Sequence, residues 1–259
     1  MAIKIAENVT IFTKKRLVVN ITGRFFVLYL IIFAVLFSND AYSETVLNRF
    51  NKLSGKRSLS NNTGQEYYLY VPDNFTGKES WPLFIGVHVY TGNGAGAQAM
   101  WKKHAAAYKF ILVCPSFPNG YQWLQHNTAE RMIDIIKEVQ SFGMTNNKVF
   151  IAGFSGGAQF AARFAIYNPE YVAAAVSMSA GGYDIPTYGG NKVKFFVSVG
   201  ELDLAPPSRV DKVKNFYYSA LNKGYDIKLT IYPGIGHQYT TQMERDALYF
   251  YESVIMNTK

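Results

Sequence analysis

KVFIAGFSGG, residues 148–157, is the stretch whose reading decides the fold. Residues 148–152 are a short apolar run with β-branched and aromatic side chains, the composition of a strand buried in a parallel sheet. The run passes directly into Gly153-Phe154-Ser155-Gly156-Gly157, and the next residues, AQFAARFAIY, have helical composition. A serine between strand and helix in a G-x-S-x-G setting sits on a sharp turn that throws its hydroxyl clear of the sheet. Such a turn brings strand and helix close, so side chains at 153 and 157 would obstruct it. The Gly156 N–H falls at the helix N-terminus, where backbone donors have no intrahelical partner and can hold a developing negative charge. Ser155 is therefore the candidate nucleophile.

Outward from this turn, strands alternate with helices. Residues 66–71 (EYYLYV), 83–89 (LFIGVHV), 110–114 (FILVC), 172–178, 194–199 (KFFVSV) and 227–232 read as strands. Helices are expected over 97–109, after the Gly-rich loop 91–96, then over 129–140, over 206–222 with proline in the first turn, and from about 240 to the C-terminal end. That alternation calls for an α/β fold, a mostly parallel sheet covered by helices on both faces.

The chain has 259 residues and a formal net charge of +8. Five of its basic and two of its acidic residues lie within 1–43, and the remaining excess is scattered without a basic run, which argues against a nucleic-acid surface. Residues 25–37 (FFVLYLIIFAVLF) form an apolar run flanked by basic residues before and small polar ones after. It has the length of a signal-peptide core and is short for a membrane span. The expected organisation is a signal peptide over 1–43, a flexible lead-in over 44–64 and a catalytic domain over 65–259. Ala41-Tyr42-Ser43 then precedes a mature start at Glu44, and the destination is secreted or periplasmic. The competing reading is an uncleaved anchor, the one case in which a membrane would be a partner. Cys114 is the single cysteine and lies in an apolar run, the setting of a buried, inert thiol.

A serine hydroxyl needs a base, and the base needs a carboxylate to fix its tautomer. Of the four histidines, His104 lies beside Lys102 and Lys103 on a helix and is expected to be solvated, His126 lies in a loop, and His88 ends a strand. His237 follows the last strand in the Gly-flanked loop GIGH, at the sheet edge where Ser155 also falls. Asp203 follows KFFVSV in GELDLAPP, with Glu201 as its nearest rival. The order Ser155, Asp203, His237 is that of a known hydrolase arrangement.

Taken with YYLYVPDNF ahead of WPLFIGVHV, FILVCPSFPNGYQW, KVFIAGFSGGAQFAARFA, VGELD and YPGIGH, the chain resembles the α/β-hydrolase superfamily. Within it, the resemblance is to the secreted polyhydroxybutyrate depolymerase and feruloyl esterase group, over roughly three-quarters of the chain. The resemblance implies an exported serine hydrolase of carboxylic esters, working through an acyl-enzyme on a small-molecule or polymeric ester. It implies no metal and no organic cofactor. It places the oxyanion donors at the Tyr90 N–H and the Gly156 N–H. Val89 stands where the group has glycine, which leaves the Tyr90 hydroxyl as the other donor at that position. The segment 180–191 is short, so no sizeable lid is expected, and Tyr121, Trp123 and Tyr183 are candidates to line an open cleft. A serine peptidase or acyltransferase on the same fold, or a binding module that kept the fold, are the rival functions.

Overall fold

The computed structural model describes residues 9–12, 18–21, 48, 52, 54–61, 64–143, 145–186 and 193–256. It divides into two compact units, Met1–Thr45 and Val46–Lys259. In the first, β1 (Val9–Phe12) and β2 (Val18–Ile21) pair antiparallel. The apolar run 25–37 and the cleavage site expected at 41–43 lie outside the described residues. Among the described residues, no helix is long and apolar enough to cross a membrane.

The second unit is built on an eight-stranded sheet. Its strands are β3 (Gly55–Ser58), β4 (Glu66–Tyr70), β5 (Leu83–Val87), β6 (Ile111–Ser116), β7 (Val149–Phe154), β8 (Val172–Met178), β9 (Lys194–Gly200) and β10 (Ile227–Tyr232). They lie in the order β10-β9-β8-β7-β5-β6-β4-β3. The six strands from β10 to β6 are mutually parallel, and β4 and β3 add an antiparallel edge. Among the described residues of this unit, α1 (Gly94–Ala105), α2 (Thr128–Ser141), α3 (Gly156–Tyr167) and α4 (Arg209–Asn222) connect strands, and α5 (Thr241–Met256) follows the last one.

The strand pleat divides the core in two, because successive side chains point to opposite faces. Leu83, Ile85 and Val87 of β5 and Val149 and Ile151 of β7 pack with Met132 of α2, Phe160 of α3 and Val213 of α4. Phe84 and Phe150 point the other way and pack with Trp101 of α1 and Leu248 and Tyr251 of α5. With both faces covered, the central strands are apolar along their whole length, as parallel strands require. Cys114 is fully buried on the α1/α5 side, and burial raises its thiol pKa, so it stays protonated.

Several boundaries differ from those expected. α1 begins at Gly94, ahead of the expected start at 97, because Asn93 Oδ1 accepts from the Gly96 N–H at 3.0 Å and caps the helix there. It also ends at Ala105, short of 109. α4 begins at Arg209 under a Ser208 cap, so Pro206 and Pro207 precede the helix and do not open it. β5 stops at Val87, where His88 turns its backbone out of the ladder. Inside the stretch expected to be a flexible lead-in, residues 55–58 pair with β4 as an edge strand.

Candidate active site

The chain leaves β5 to form β6 on one side and returns to form β7 on the other, so β5 and β7 flank a reversal of strand order. In a parallel sheet, the crevice at the carboxyl ends of two such strands is where ligands bind. Val87 and Gly153 are register partners at that point. The segments that follow them, from His88 and from Phe154, emerge side by side.

Ser155 stands between β7 and α3 with φ 56° and ψ −116°. A non-glycine residue held there stores on the order of 1–3 kcal/mol of strain. Close packing enforces it. A Cβ on Gly153 would lie 2.3 Å from the Gly157 carbonyl carbon, and a Cβ on Gly157 would lie 2.4 Å from the Val87 carbonyl oxygen. The Ser155 N–H donates to Met178 O at 2.9 Å, which ties the turn to β8.

From this turn a hydrogen-bonded chain runs across three loops. Ser155 Oγ is 3.0 Å from His237 Nε2, and His237 Nδ1 is 2.8 Å from Asp203 Oδ2. Asp203 is only 1% exposed, and its other oxygen, Oδ1, accepts from Arg209 Nη1 at 3.0 Å. The loops of Asp203 and His237 are laced together. Leu202 N–H donates to Ile235 O at 2.8 Å, and a Cβ on Gly200 would meet that same carbonyl at 2.2 Å. Glu201, the rival acid, is exposed and spends its Oε2 on the Gly234 N–H at 3.0 Å. Of the two acids in GELD, Asp203 is the one that meets His237.

The ring of His237 lies against Phe154, centroids 5.0 Å apart and planes 27° from parallel. Tyr239 meets the same Phe154 edge-on, and its hydroxyl donates to Glu244 Oε2 at 2.9 Å. Glu244 Oε1 in turn takes Lys103 Nζ at 2.8 Å and His104 Nε2 at 2.6 Å. His104 is thus paired between α1 and α5, not solvated as expected. Burial opposes the charge on Glu244, but the bonds from Lys103, His104 and Tyr239 outweigh it and hold its pKa below the usual value.

The β5 loop supplies the other half of the site. His88 is buried, and its Nε2 accepts the Phe117 N–H at 3.0 Å. The proton must then sit on Nδ1, which donates to Val89 O at 2.7 Å, where the Gly92 N–H also donates at 2.9 Å. A trans peptide holds its C=O and N–H antiparallel. Pinning Val89 O on one side therefore turns the Tyr90 N–H to the other. A Cβ on Gly156 would lie 2.9 Å from that Tyr90 nitrogen, so only a glycine at 156 lets the head of α3 come this close to the Tyr90 backbone beside Ser155.

Of the three residues expected to line a cleft, Tyr121 does not: it is fully buried, and its hydroxyl donates to the His88 carbonyl, so it braces the β5 loop from inside. Tyr183 is half-buried and lines an open cavity with Asp184, Ile185 and Lys212, while its ring stacks on Phe216 at 4.3 Å and its hydroxyl shares a hydrogen bond with Ser177 Oγ at 2.9 Å. Trp123 is 54% exposed. With the Gln159 amide assigned so that its oxygen faces the neighbouring donors, that oxygen accepts from Trp123 Nε1–H at 3.1 Å and from Arg163. Sequence reading passed over Arg209, Phe154 and the clamp made by His88. Phe154 carries a signal only as the variable residue of G-x-S-x-G, and nothing in local spacing marks Arg209.

A family model described as Phospholipase/Carboxylesterase matches residues 95–255, and the chain belongs to that family. Its architecture is the α/β-hydrolase fold. Among curated proteins, the chain is 30% identical over 128 residues to a probable acetylxylan esterase A of Aspergillus niger, covering 44% of this chain and 42% of that one. It is 26% identical over 157 residues to feruloyl esterase B of Talaromyces funiculosus, covering 55% of this chain and 42% of that one. The match thus spans less than half the length of these relatives. Among solved structures, the poly(3-hydroxybutyrate) depolymerase LpqC of Bordetella parapertussis superposes with a TM-score of 0.63 at 19% identity, over 77% of this chain and 91% of that one. The acetyl xylan esterase of Aspergillus awamori gives 0.60 at 18% identity, over 73% and 94%.

The close packing of the turn sets a clear contrast between two glycines. Gly157→Ala should cost several kcal/mol or prevent folding, since the clash is with backbone that cannot step aside. Gly96→Ala, in open helical surroundings, should be neutral or stabilise by up to ~1 kcal/mol. Urea denaturation of both variants checks this, and equal stabilities would remove the steric account of the turn.

His88 gives a pH signature. Burial lowers its pKa below the usual imidazole value, against smaller raising effects of its backbone bonds. The unfolded imidazole binds a proton near about 6.5, whereas the folded one takes it only at lower pH. The unfolded state therefore gains protons first, and stability is present above about 6.5 and lost as pH falls below it. His88→Gln should be less stable than wild type at pH 7.5 but lose less stability on going to pH 5. Parallel losses in the two proteins would show that His88 does not contribute to the acid sensitivity.

Proposed function

We propose that this chain is a serine hydrolase of carboxylic esters in which Ser155 is the nucleophile, His237 the general base and acid, and Asp203 the residue that orients His237. The single observation that carries this reading is the continuous hydrogen-bonded chain Ser155–His237–Asp203 at the strand-order reversal. Membership of the Phospholipase/Carboxylesterase family supports it, as do the esterase names of the relatives.

Ser155 Oγ attacks the ester carbonyl carbon while its proton passes to His237 Nε2. The carbonyl π electrons move to oxygen, and the oxyanion is held by the Tyr90 and Gly156 N–H groups. Collapse expels the alcohol, whose oxygen takes the proton from His237, and leaves Ser155 acylated. Water then repeats the sequence, giving its proton to His237 and releasing the acid. The Asp203 carboxylate accepts from His237 Nδ1 throughout, which keeps Nε2 free to receive the serine proton.

The substrate is an ester carried on a bulky or polymeric alcohol. Val89, Tyr90, Trp123, Leu202 and Leu204 are exposed on the loops that surround Ser155, an apolar rim rather than a closed tunnel. The described part of the segment between β8 and β9, residues 180–186, forms no helix or strand over the site. The relatives named for acetylxylan and ferulic esters suit the same open geometry. The apolar run at 25–37 adds that the protein is exported and its leader removed near residue 43.

Ser155→Ala should abolish ester hydrolysis, by on the order of a million-fold, and block labelling by a fluorophosphonate probe without lowering the melting temperature. Asp203→Asn should slow kcat/KM by something like ten-thousandfold, while Glu201→Gln does far less. Full activity in the alanine variant would sink the reading, and a crippled Glu201→Gln with a mild Asp203→Asn would reassign the acid. For export, intact-mass measurement of the secreted protein should give a start near Glu44, whereas a full-length, membrane-extracted species would show the anchor.

A further inference from the structure

We propose that Arg209 is a positioning residue for the Ser155–His237–Asp203 relay, holding Asp203 Oδ1 so that Oδ2 stays on His237, and placing a fixed positive charge beside that carboxylate. The inference rests on the ester-hydrolase reading above and adds a residue which that reading does not need.

A carboxylate that accepts one bond from a histidine is free to rotate about its own axis unless its second oxygen is held. In this protein the second oxygen is held by a charged group. Arg209 Nη1 lies 3.0 Å from Asp203 Oδ1, and the Arg209 backbone N–H donates to the Asp203 carbonyl at 3.2 Å. Both ends of residue 203 are thus tied to the first residue of α4. Among the described residues, Asp203 is the one carboxylate within ion-pair reach of Arg209, and Arg209 Nε is buried without a hydrogen-bond partner. Among the described residues, Asp203 alone aims the guanidinium. Burying one anion costs less with a hydrogen-bonded cation beside it.

The chemical consequence follows from counting charges. In the resting site one anion faces one cation and one neutral ring. When His237 takes the serine proton, that single buried anion faces two cations. Arg209 thus weakens the hold of Asp203 on the imidazolium. It makes His237 readier to return the proton to the leaving alcohol. A full charge this near a titrating pair shifts its proton affinity by about tenfold or more, and solvent at the partly exposed guanidinium keeps the figure near the low end. Other charges reach the same loop. Glu201 holds the Gly234 N–H, and Glu244, with Lys103 and His104, holds Tyr239. None of these changes when Arg209 is replaced.

Three substitutions separate charge from hydrogen bonding. Profiles of kcat/KM against pH with p-nitrophenyl acetate should show the acid limb displaced upward by about one pH unit in both Arg209→Met and Arg209→Gln. Glutamine, which keeps a donor for Asp203 Oδ1, should retain more of the plateau rate than methionine. Arg209→Lys should keep the limb where wild type has it. NMR titration of the His237 ring in the same proteins gives the displacement without any need for turnover. If wild type cleaves no ester, the hydrolase reading fails while the NMR titration still decides the role of Arg209. Limbs and NMR titrations that stay put in the methionine and glutamine variants, with only rate or melting temperature lowered, overturn the proposal. Should methionine fail to fold, the glutamine and lysine pair carries the same test.

Discussion

A backbone-to-backbone approach at the head of α3 governs the geometry of this protein. The helix starts so close to the end of β5 that position 157 has no room for a single methyl group against the Val87 and His88 carbonyls. Closeness here has two effects at once. It forces Ser155 into a conformation that a relaxed serine avoids, which lifts the hydroxyl out of the sheet. It also brings the first residue of the helix beside the Tyr90 amide of the neighbouring loop. The Ser155 hydroxyl and these backbone groups are thus set by one packing contact, and the strain at Ser155 is held by the strands and helix on both sides rather than by the loop itself.

The remaining polar groups reach the same point from β9 and β10. Neither loop is long, and each is held by the other: the chain after β10 crosses directly over Gly200, and Glu201 caps the amide at Gly234. That lacing leaves Asp203 almost without solvent, with its two oxygens divided between His237 and Arg209. On the other side of the imidazole, Phe154 gives an apolar face, and Tyr239 anchors that face to the ion pair between α1 and α5. His237 is thus gripped by packing on its plane and by a hydrogen bond at Nδ1. Its Nε2 edge is left toward Ser155.

Much of this was legible in the chain because strand period and strand-end position are local signals. The bounds of β8 and β10 came out as expected, since β8 is an apolar run and β10 alternates apolar with polar residues, and a turn closes each. Helix starts were less legible: capping decided them, and Asn93 and Ser208 each outcompeted the nearby glycine or proline cue. Side-chain destinations were least legible. An aromatic in a loop reads the same whether it faces solvent or core, so Tyr121 and Trp123, two residues apart, were given one role and have two. His104 read as solvated because its partner Glu244 is 140 residues away in sequence. Arg209 was invisible for a similar reason, since its meaning depends on where the Asp203 loop folds.

The valine at 89 shows how a departure from a motif can leave its geometry intact. Glycine is favoured at such a position when the backbone must take a conformation that a Cβ forbids, or when another chain passes too close. Neither holds here. Residue 89 is not among those with positive φ, and its side chain lies at the surface. What orients the peptide is its carbonyl, gripped by the His88 ring and the Gly92 amide, with His88 itself fixed by Phe117 on one nitrogen and by Tyr121 on its own carbonyl. The direction of the Tyr90 N–H is then a consequence of peptide planarity, whatever side chain precedes it. A buried neutral histidine thus orients this peptide by hydrogen bonding, without the freedom a glycine would bring.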